Sequence, residues 1–304
     1  DAETIRTVAA SDVLAALKLV PGLHVVQAGA RGGAASAFIR GGAGNFNKVL
    51  IDGMPANDIG GAFDFARLTT TGVERIEVLR QTNSVAYGSD ALAGVVSLTT
   101  RTGRTRVPEL TVAAEAGNLG TWASDVGLGG TRHGVAYYAA LSHADTDNQV
   151  PNNAYRNTTS VGRIDVPAGR LTTLTATLRR VRATYGSSNA YGLFGVSDDS
   201  TQRNVATTGS VAAQVQWSDA WQSNLRVGVV DQTLRFENPT PTGEAFDPFG
   251  FGANYLGRLT TLTGGNGSTV TGRAVLDFGG SYPSQFDTRR SEEHTSELQS
   301  HLNL

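Results

Sequence analysis

From about residue 108 to residue 289 the sequence alternates between apolar and polar side chains with a period of two. In one such segment Val211, Ala213 and Val215 alternate with Gln214 and Gln216. Successive side chains of a β-strand point to opposite faces, so each segment predicts a strand with one apolar and one polar face. Segments of about ten residues suit strands that cross lipid while the other face meets water. We therefore predict about nine antiparallel strands in this region.

The connections between these segments separate two kinds of β-protein. A water-soluble β-sandwich also alternates, whereas a strict succession of short and long connections is typical of outer-membrane barrels. Trp217 and Trp221 flank one of the short turns, where an interfacial aromatic girdle would lie. The short turns are predicted near residues 131–134, 167–169, 218–220 and 264–267, and the long connections at 143–157, 182–203 and 237–254.

Composition excludes several classes of function. The 304 residues contain 25 Lys and Arg against 27 Asp and Glu, so no overall positive charge favours nucleic acid. The absence of Cys excludes disulfides, thiolate metal sites and a cysteine nucleophile. The glycine clusters at 29–33 and 41–44 lack the spacing of nucleotide-binding loops. His24, His133 and His143 form no catalytic or metal-ligand pattern, so we do not expect an enzyme.

The first hundred residues predict a mixed α+β unit. Ser11 is a suitable N-cap for a helix that carries Val13, Leu14 and Leu17 and ends before residues 21–22. Asp52-Gly53 is a tight-turn signal. Strands are predicted at residues 23–27, 38–40, 48–51, 73–79 and 95–100.

Five runs of this unit resemble motifs of one protein family, in the family's order. They are Asp12-Val13-Leu14 with Pro21-Gly22, Phe38-Ile39-Arg40-Gly41, Val49-Leu50-Ile51-Asp52-Gly53, Glu74-Arg75-Ile76-Glu77-Val78-Leu79-Arg80, and Tyr87-Gly88-Ser89-Asp90-Ala91 with Gly94-Val95-Val96. Over about residues 8–103 the chain resembles the plug domain of TonB-dependent outer-membrane receptors, and within them the cobalamin and siderophore receptors. The family usually has Arg-Gly-Pro where this chain has Arg80-Gln81-Thr82, which leaves that turn's geometry open.

The resemblance implies a β-rich membrane protein of the bacterial cell outer membrane. A small α+β plug domain would span residues 1–103, and residues 104–289 would form the first part of an antiparallel transmembrane β-barrel. A complete barrel of this family has about 22 strands. Because an incomplete barrel leaves unpaired strand edges in lipid, we do not expect this chain alone to insert. Residues 290–304 resemble a translated sequencing adapter, with a charged C-terminal helix as the alternative, and the energy-coupling segment before the plug is expected to lie outside this truncated sequence.

The implied function is the energised uptake of a scarce, bulky nutrient of the iron–siderophore or cobalamin type. TonB would be the energy-transducing partner of a monomer in outer-membrane lipid, without cofactor or nucleic acid. Ligand contacts are expected from plug loops, where Arg31 would attract an anionic ligand and Phe63 would stack on a macrocycle. Packing of these loops against the wall is the alternative. The candidate ligand-binding residues are Ala30, Arg31, Asn57, Asp58, Ile59 and Phe63.

Two further groups of polar residues carry predictions. Arg40, Glu74, Glu77 and Arg80 would tie the plug to itself and to the barrel, since buried ion pairs provide a breakable latch more than net stability; a solvated strand face is the alternative. In the segment 144–149, the side chains of Asp145, Asp147 and Asn148 could offer oxygen ligands to Ca²⁺. The spacing lacks the Gly and distal Glu of an EF-hand loop, and a solvated external loop is the simpler interpretation.

Two other functions remain open at this point. A passive porin with a constricting domain would need no energised partner, but it does not explain a separate unit of a hundred residues before the first wall strand. A soluble β-sandwich adhesin does not explain the succession of short and long connections.

Overall fold

The N-terminal domain contains two short helices and two small sheets. The computed structural model describes residues 1–7, 12–58, 61–80, 87, 91–186, 200–218, 221–238, 251–270 and 274–293, the last two ranges as backbone alone. The first sheet pairs β1 with β2, and the second has the order β4-β3-β6-β5, with β3 and β6 parallel. The elements are α1 (Ala2–Thr7), α2 (Val13–Leu17), β1 (Leu23–Gln27), β2 (Ala35–Ile39), β3 (Asn47–Ile51), β4 (Met54–Pro55), β5 (Val73–Leu79) and β6 (Gly94–Thr100), with 3₁₀ turns at Gly44–Phe46 and Phe65–Arg67.

The core of this domain lies between α2 and the two sheets. The central strands β3 and β6 are buried or half-buried on both faces, as is usual for parallel pairs. Leu50 and Val95 belong to a second, smaller apolar cluster. Strand β5, at the sheet edge, alternates buried or half-buried residues with exposed ones. The core includes Val13, Leu17, Ile39, Val49, Phe65, Val96 and Leu98.

Local signals explain the ends of two elements. The N-cap of α2 is Asp12, whose Oδ1 accepts the Ala15 N–H at 2.7 Å, and not Ser11, which lies outside the described residues. An extended backbone at Asp12 lets its carboxylate turn back onto the first helical turn. The turn at Asp52-Gly53 is confirmed: both residues have positive φ (+50° and +76°), which suits a two-residue hairpin between β3 and β4.

Nine strands of the described chain form one antiparallel sheet, here called the wall. Each strand pairs with its sequence neighbours, in the order β15 to β7. The strands are β7 (Glu109–Ala116), β8 (Trp122–Arg132), β9 (Val135–Thr146), β10 (Tyr155–Ala168), β11 (Thr172–Gly186), β12 (Thr201–Ser218), β13 (Trp221–Asn238), β14 (Phe251–Val270) and β15 (Ala274–Glu293).

The wall has one end with longer connections and one with short turns. The longer connections are residues 117–121, 147–154, 187–200 and 239–250, and the short turns are 133–134, 169–171, 219–220 and 271–273. The turn predicted at 264–267 is wrong, because these residues lie within β14, where Gly264 pairs with Leu225. A strand continues for as long as the neighbouring strand provides backbone hydrogen-bond partners. Strand β13 begins at Trp221, opposite Ser268, so residues 264–267 of β14 remain paired with it.

The two faces of the wall differ as the alternation predicts. On β9, Tyr138, Ala140 and Ser142 are buried against the N-terminal domain, whereas Leu141 between them is 55% exposed. Large apolar side chains remain exposed on the outer face, among them Leu110, Val112, Leu178, Val211, Trp217 and Leu225. Such a face is suited to lipid.

Two further features concern membrane crossing and the C-terminus. Within the described part of the chain, no helix is both long and apolar enough to cross a membrane.

Strand β15 continues to Glu293, which pairs with Gly252, so the first four residues of the expected adapter-derived tail belong to a strand. Residues 294–304 lie outside the described residues.

Candidate functional site: the interface between the domain and the wall

The inner face of the wall contacts the N-terminal domain mainly through polar side chains. At the end with longer connections, Asn148 Nδ2 donates to the Arg31 carbonyl oxygen at 2.9 Å. Nearby, the Tyr155 hydroxyl donates to the Ala66 carbonyl at 3.2 Å. The wall thus binds the backbone oxygens of this part of the domain, and these contacts do not depend on which side chains the domain carries there.

Asn157 is the most completely bonded of these wall residues. It is 1% exposed, and its Nδ2 donates to the Arg67 carbonyl at 2.9 Å and to the Tyr155 hydroxyl at 2.9 Å. Its Oδ1 accepts from the Thr159 hydroxyl at 2.9 Å. Because each of these partners is buried, loss of the amide would leave a buried carbonyl without its donor.

A charged pair lies at the middle of the interface. Arg67 Nη2 contacts both carboxylate oxygens of Asp58 at 2.7 Å, and Gln232 of the wall donates to Asp58 Oδ1 at 2.5 Å. The Arg67 guanidinium also lies over the Phe63 ring, 5.2 Å from its centroid. Phe63 packs edge-on against Phe65 at 4.9 Å.

This arrangement changes the interpretation of two candidate ligand residues. Phe63 is 8% exposed and belongs to the domain core, so its ring face is not available to stack on a macrocycle. Asp58 holds both Arg67 and Gln232 and is thereby part of the contact with the wall. The alternative that these loops pack against the wall fits Asp58, whereas Phe63 packs inside the domain.

The other candidate ligand residues lie in different settings. The side chain of Asn57 is used inside the domain: it accepts the Val49 N–H and donates to the Asn47 and Gly61 carbonyls, all at 2.8 Å. Ala30 and Arg31 lie in the loop between β1 and β2, at the end of the wall with longer connections. Ile59 lies outside the described residues.

Three of the four predicted latch residues are exposed and contact the domain itself. Arg40 Nη1 donates to the Arg80 carbonyl at 3.2 Å, and Arg80 Nη1 donates to the Pro21 carbonyl at 2.6 Å. Glu77 pairs at 3.4 Å with Arg75 on its own strand, with both side chains about half exposed. The prediction of buried pairs is wrong for these residues, because all three side chains are exposed. Arg40 and Arg80 nevertheless tie the domain to itself through backbone oxygens.

Glu74 occupies a different position, where the chain leaves the domain for the wall. Its carboxylate contacts Arg104 Nη2 at 2.6 Å and Arg101 Nε at 3.6 Å. Both arginines belong to the segment between β6 and β7. Glu74 therefore holds the connecting segment against the domain.

Two wall arginines that are not among the predicted site residues also donate to backbone oxygens of the domain. Arg179, 3% exposed, donates through Nη2 to the Thr71 carbonyl at 2.8 Å. Arg163 Nη1 donates to the Thr100 carbonyl at 2.9 Å while Asp165 holds its Nε at 2.9 Å. These contacts could have been predicted from arginines on the polar face of a membrane-crossing strand, because that face meets the lumen and not the lipid.

Close packing of backbones completes the interface near the short turns. The Thr102 hydroxyl donates to Asp165 Oδ2 at 2.5 Å. Gly103 lies so close to the wall that a Cβ there would collide with the backbone of Gly130 and Tyr137. The connecting segment therefore approaches the wall at a distance that only glycine permits.

Two of the three candidate calcium ligands, Asp145 and Asn148, are engaged in contacts with other protein groups. Asp145 lies in β9 rather than in a loop, and it accepts from Arg156 Nε at 2.7 Å on the outer face. The Asn148 amide instead donates towards the domain, to the Arg31 carbonyl, and to Asn153. Among the described residues, no three His, Cys, Asp or Glu side chains are grouped so as to hold a metal ion.

Comparison with known proteins assigns this architecture to a family. Residues 1–95 match the model of the TonB-dependent receptor plug domain. Residues 1–95 therefore form a TonB-dependent receptor plug domain. The interface is therefore the contact between a plug domain and the inner face of a barrel wall.

Relatives by sequence match the plug. The vitamin B12 transporter BtuB of Vibrio vulnificus is 40% identical over 98 residues, which cover 32% of this chain and 16% of that protein. BtuB of Vibrio cholerae is 38% identical over 104 residues, covering 34% and 17%. The match thus spans about one sixth of the length of these curated relatives.

Solved structures match both the plug and the wall. The ferric yersiniabactin uptake receptor FyuA of Yersinia pestis superimposes with a TM-score of 0.70 at 14% identity, covering 91% of this chain and 46% of FyuA. The ferric enterobactin receptor PfeA of Pseudomonas aeruginosa gives 0.66 at 20% identity, covering 89% and 46%. The described fold is therefore that of a plug followed by part of a barrel.

Proposed function

We propose that the receptor containing this sequence takes up a scarce, bulky nutrient across the bacterial outer membrane. The nutrient would be of the iron–siderophore or cobalamin type, and TonB would supply the energy by acting on the plug. The plug match and the similarity to vitamin B12 transporters and ferric siderophore receptors support this proposal.

The observation that carries the proposal is the nature of the plug–wall contact. The apolar core of the plug is complete in itself, and the buried apolar cluster of the wall is separate from it, around Tyr138 and Val161. Between them run individual hydrogen bonds, such as Arg179 to Thr71 and Asn157 to Arg67, beside a few apolar contacts such as Met54 against Gly228. Water can replace such bonds at a net cost of about 0.5–1.5 kcal/mol each, or up to about 3 kcal/mol for a charged donor. A plug held in this way can move without losing its own fold.

The ligand would arrive at the end of the wall with longer connections. Long loops lie on the external side of outer-membrane barrels. The plug loop that carries Ala30 and Arg31 lies at that end, next to Asn148 in the connection between β9 and β10. We propose these two plug residues as ligand contacts, with Arg31 favouring an anionic ligand.

Uptake by the full-length receptor that contains this sequence tests the proposal. Cells carrying it are supplied with radiolabelled cobalamin or with ferric siderophores, in the presence and absence of TonB. We expect uptake of one ligand class that requires TonB, and weaker binding in Arg31→Ala than in Lys18→Ala, an exposed lysine elsewhere in the plug. Equal uptake without TonB would indicate a passive porin and contradict the proposal.

A further inference from the structure

The outer face of the wall carries a group of arginines near its external end. The strand register places Arg156, Thr184, Arg203 and Arg235 in one row across β10 to β13. Two more arginines follow below Thr184 on the same face of β11. The arginine patch consists of Arg156, Arg180, Arg182, Arg203 and Arg235, and all five side chains are exposed.

Alternation along the strands shows that the patch faces away from the plug. On β11, Val181 and Ala183 are buried, whereas Arg180 and Arg182 on either side of Val181 are exposed. On β12 the neighbour of Arg203, Asn204, is 3% exposed. The arginines therefore take no part in the plug–wall interface or in the path of the nutrient.

Most of the positive charge of the patch is not neutralised by the protein. Arg156 pairs with Asp145 at 2.7 Å, and Arg235 pairs with Glu237. Within the described part of the chain, no carboxylate lies within 4 Å of the guanidinium groups of Arg180, Arg182 or Arg203. Two acidic residues lie further off on the outer face. Glu237, which pairs with Arg235, is a diagonal neighbour of Arg203, and Asp231 lies two strands from Arg180, about 10 Å away at the usual strand spacing.

These three arginines are close enough to share one anionic group. Arg182 and Arg203 are diagonal neighbours on adjacent strands, because Arg203 pairs with Thr184. Side chains in that relationship start about 7–8 Å apart, which arginines can span. Arg180 lies two residues below Arg182 on the same face.

The height of the patch corresponds to the surface of a membrane. Below it the outer face is apolar, with Leu178 and Leu174 on β11 and Val211 on β12 exposed. From Trp217, beside a short turn, to Thr207, the partner of Arg180, the strand rises about 33 Å, or about 25 Å along the barrel axis at a tilt of 40°. That equals the usual height of the apolar band of an outer-membrane barrel.

We propose that Arg180, Arg182 and Arg203 bind phosphate groups of an anionic lipid headgroup in the outer leaflet. Guanidinium groups match phosphate oxygens in geometry and charge. A charge on the lipid-facing surface is costly at mid-membrane and almost without cost at the boundary, which is where these arginines lie. The occupant is a lipid because the patch continues directly from the lipid-facing apolar surface. This inference goes beyond nutrient uptake, and it stands if the nutrient is of another class.

Native mass spectrometry of the full-length receptor in detergent micelles tests this site. The probes are diphosphorylated lipid A, its dephosphorylated form, and inorganic phosphate. The test variant combines Arg180→Gln, Arg182→Gln and Arg203→Gln. We expect it to bind lipid A at least about tenfold more weakly than the wild-type receptor. A variant with Lys at the three positions keeps the charge but not the guanidinium geometry, and it should bind with an affinity between those two.

A matched control removes the same charge at the opposite end. It combines Arg106→Gln, Arg132→Gln and Arg170→Gln, three exposed arginines next to the short turns, and it should bind lipid A as the wild type does. Heat-modifiable migration on gels checks that each variant has a folded barrel. Equal binding of lipid A by the test variant and the wild type would overturn the proposal. So would equal binding of dephosphorylated lipid A by the wild type, or displacement of lipid A by millimolar inorganic phosphate.

Discussion

Arg179 of the barrel wall donates a hydrogen bond through Nη2 to the backbone oxygen of Thr71 in the plug, at 2.8 Å. The two residues are 108 positions apart in the sequence. The arginine is buried, and its Nε and Nη1 have no hydrogen-bond partner among the described residues. The Arg179 guanidinium therefore keeps this hydrogen bond only while the plug is in place.

Replacement of Arg179 should loosen the plug locally. Gln in Arg179→Gln is too short to reach Thr71, so a buried carbonyl loses its donor, at about 1–3 kcal/mol. We expect faster hydrogen exchange of plug amides around residues 69–73 and unchanged exchange in β6. Mass-spectrometric exchange on the full-length receptor measures both, and unchanged rates near Thr71 would show that this bond does not hold the plug.

Asp64 should make the stability of the plug depend on pH. Burial raises the pKa of its carboxyl above the ordinary 3.8, against the lowering effects of Arg67 and of the N–H groups of Ala35 and Ala66. Because the folded pKa is raised, the stabilisation is complete below pH 3.8 and is lost as the pH rises through the folded pKa. Relative to Asp64→Asn, which does not ionise, the wild type should therefore gain stability as the pH falls from 8 to 4.

Denaturant unfolding of both proteins at several pH values measures this difference. Both backbone donors contact Asp64 Oδ1, at 2.8 and 3.0 Å, and the Oδ1 of Asn can accept them equally. Asp64→Ala removes the acceptor and should cost about 1–3 kcal/mol at every pH. A constant difference between wild type and Asp64→Asn across the range would contradict the prediction.

Phe63 should contribute to stability rather than to ligand affinity. Phe63→Ala removes the contacts with Phe65 and Arg67 in the plug core and should cost about 3–5 kcal/mol. Phe63→Leu keeps an apolar side chain and should cost less. Unfolding curves and ligand titrations on the same preparations decide between the two roles. A loss of affinity with unchanged stability would restore the stacking role.

Gly103 should tolerate no side chain. In Gly103→Ala the new Cβ meets backbone atoms of Gly130 and Tyr137, which cannot rotate away, and we expect a loss of about 1–3 kcal/mol. Gly162 provides the matched control, because no atom lies within 4 Å of a Cβ built there. Gly162→Ala should change the free energy of unfolding by less than about 0.5 kcal/mol. Similar losses in both variants would mean that close approach is not the cause.

Several elements could be predicted from short stretches of sequence because their causes are local. Strand β5 has the predicted bounds, since alternating apolar and charged residues from Val73 to Leu79 suit one half-buried strand. The turn at Asp52-Gly53 follows from the two residues that most readily adopt positive φ there. The turn expected at 264–267 failed because the length of β14 depends on β13, about forty residues earlier.

The sequence by itself determined that this protein has a plug and a wall with one apolar face, because periodicity and motif order are properties of neighbouring residues. Only the tertiary structure decided which polar groups meet. Phe63 and Asp58 were predicted as ligand contacts, but the fold places Arg67 against both of them. It also places Gln232 against Asp58, from which it is 174 positions away in the sequence. Partners that are so distant in sequence depend on how the plug is seated and on the strand register, and no local pattern encodes either.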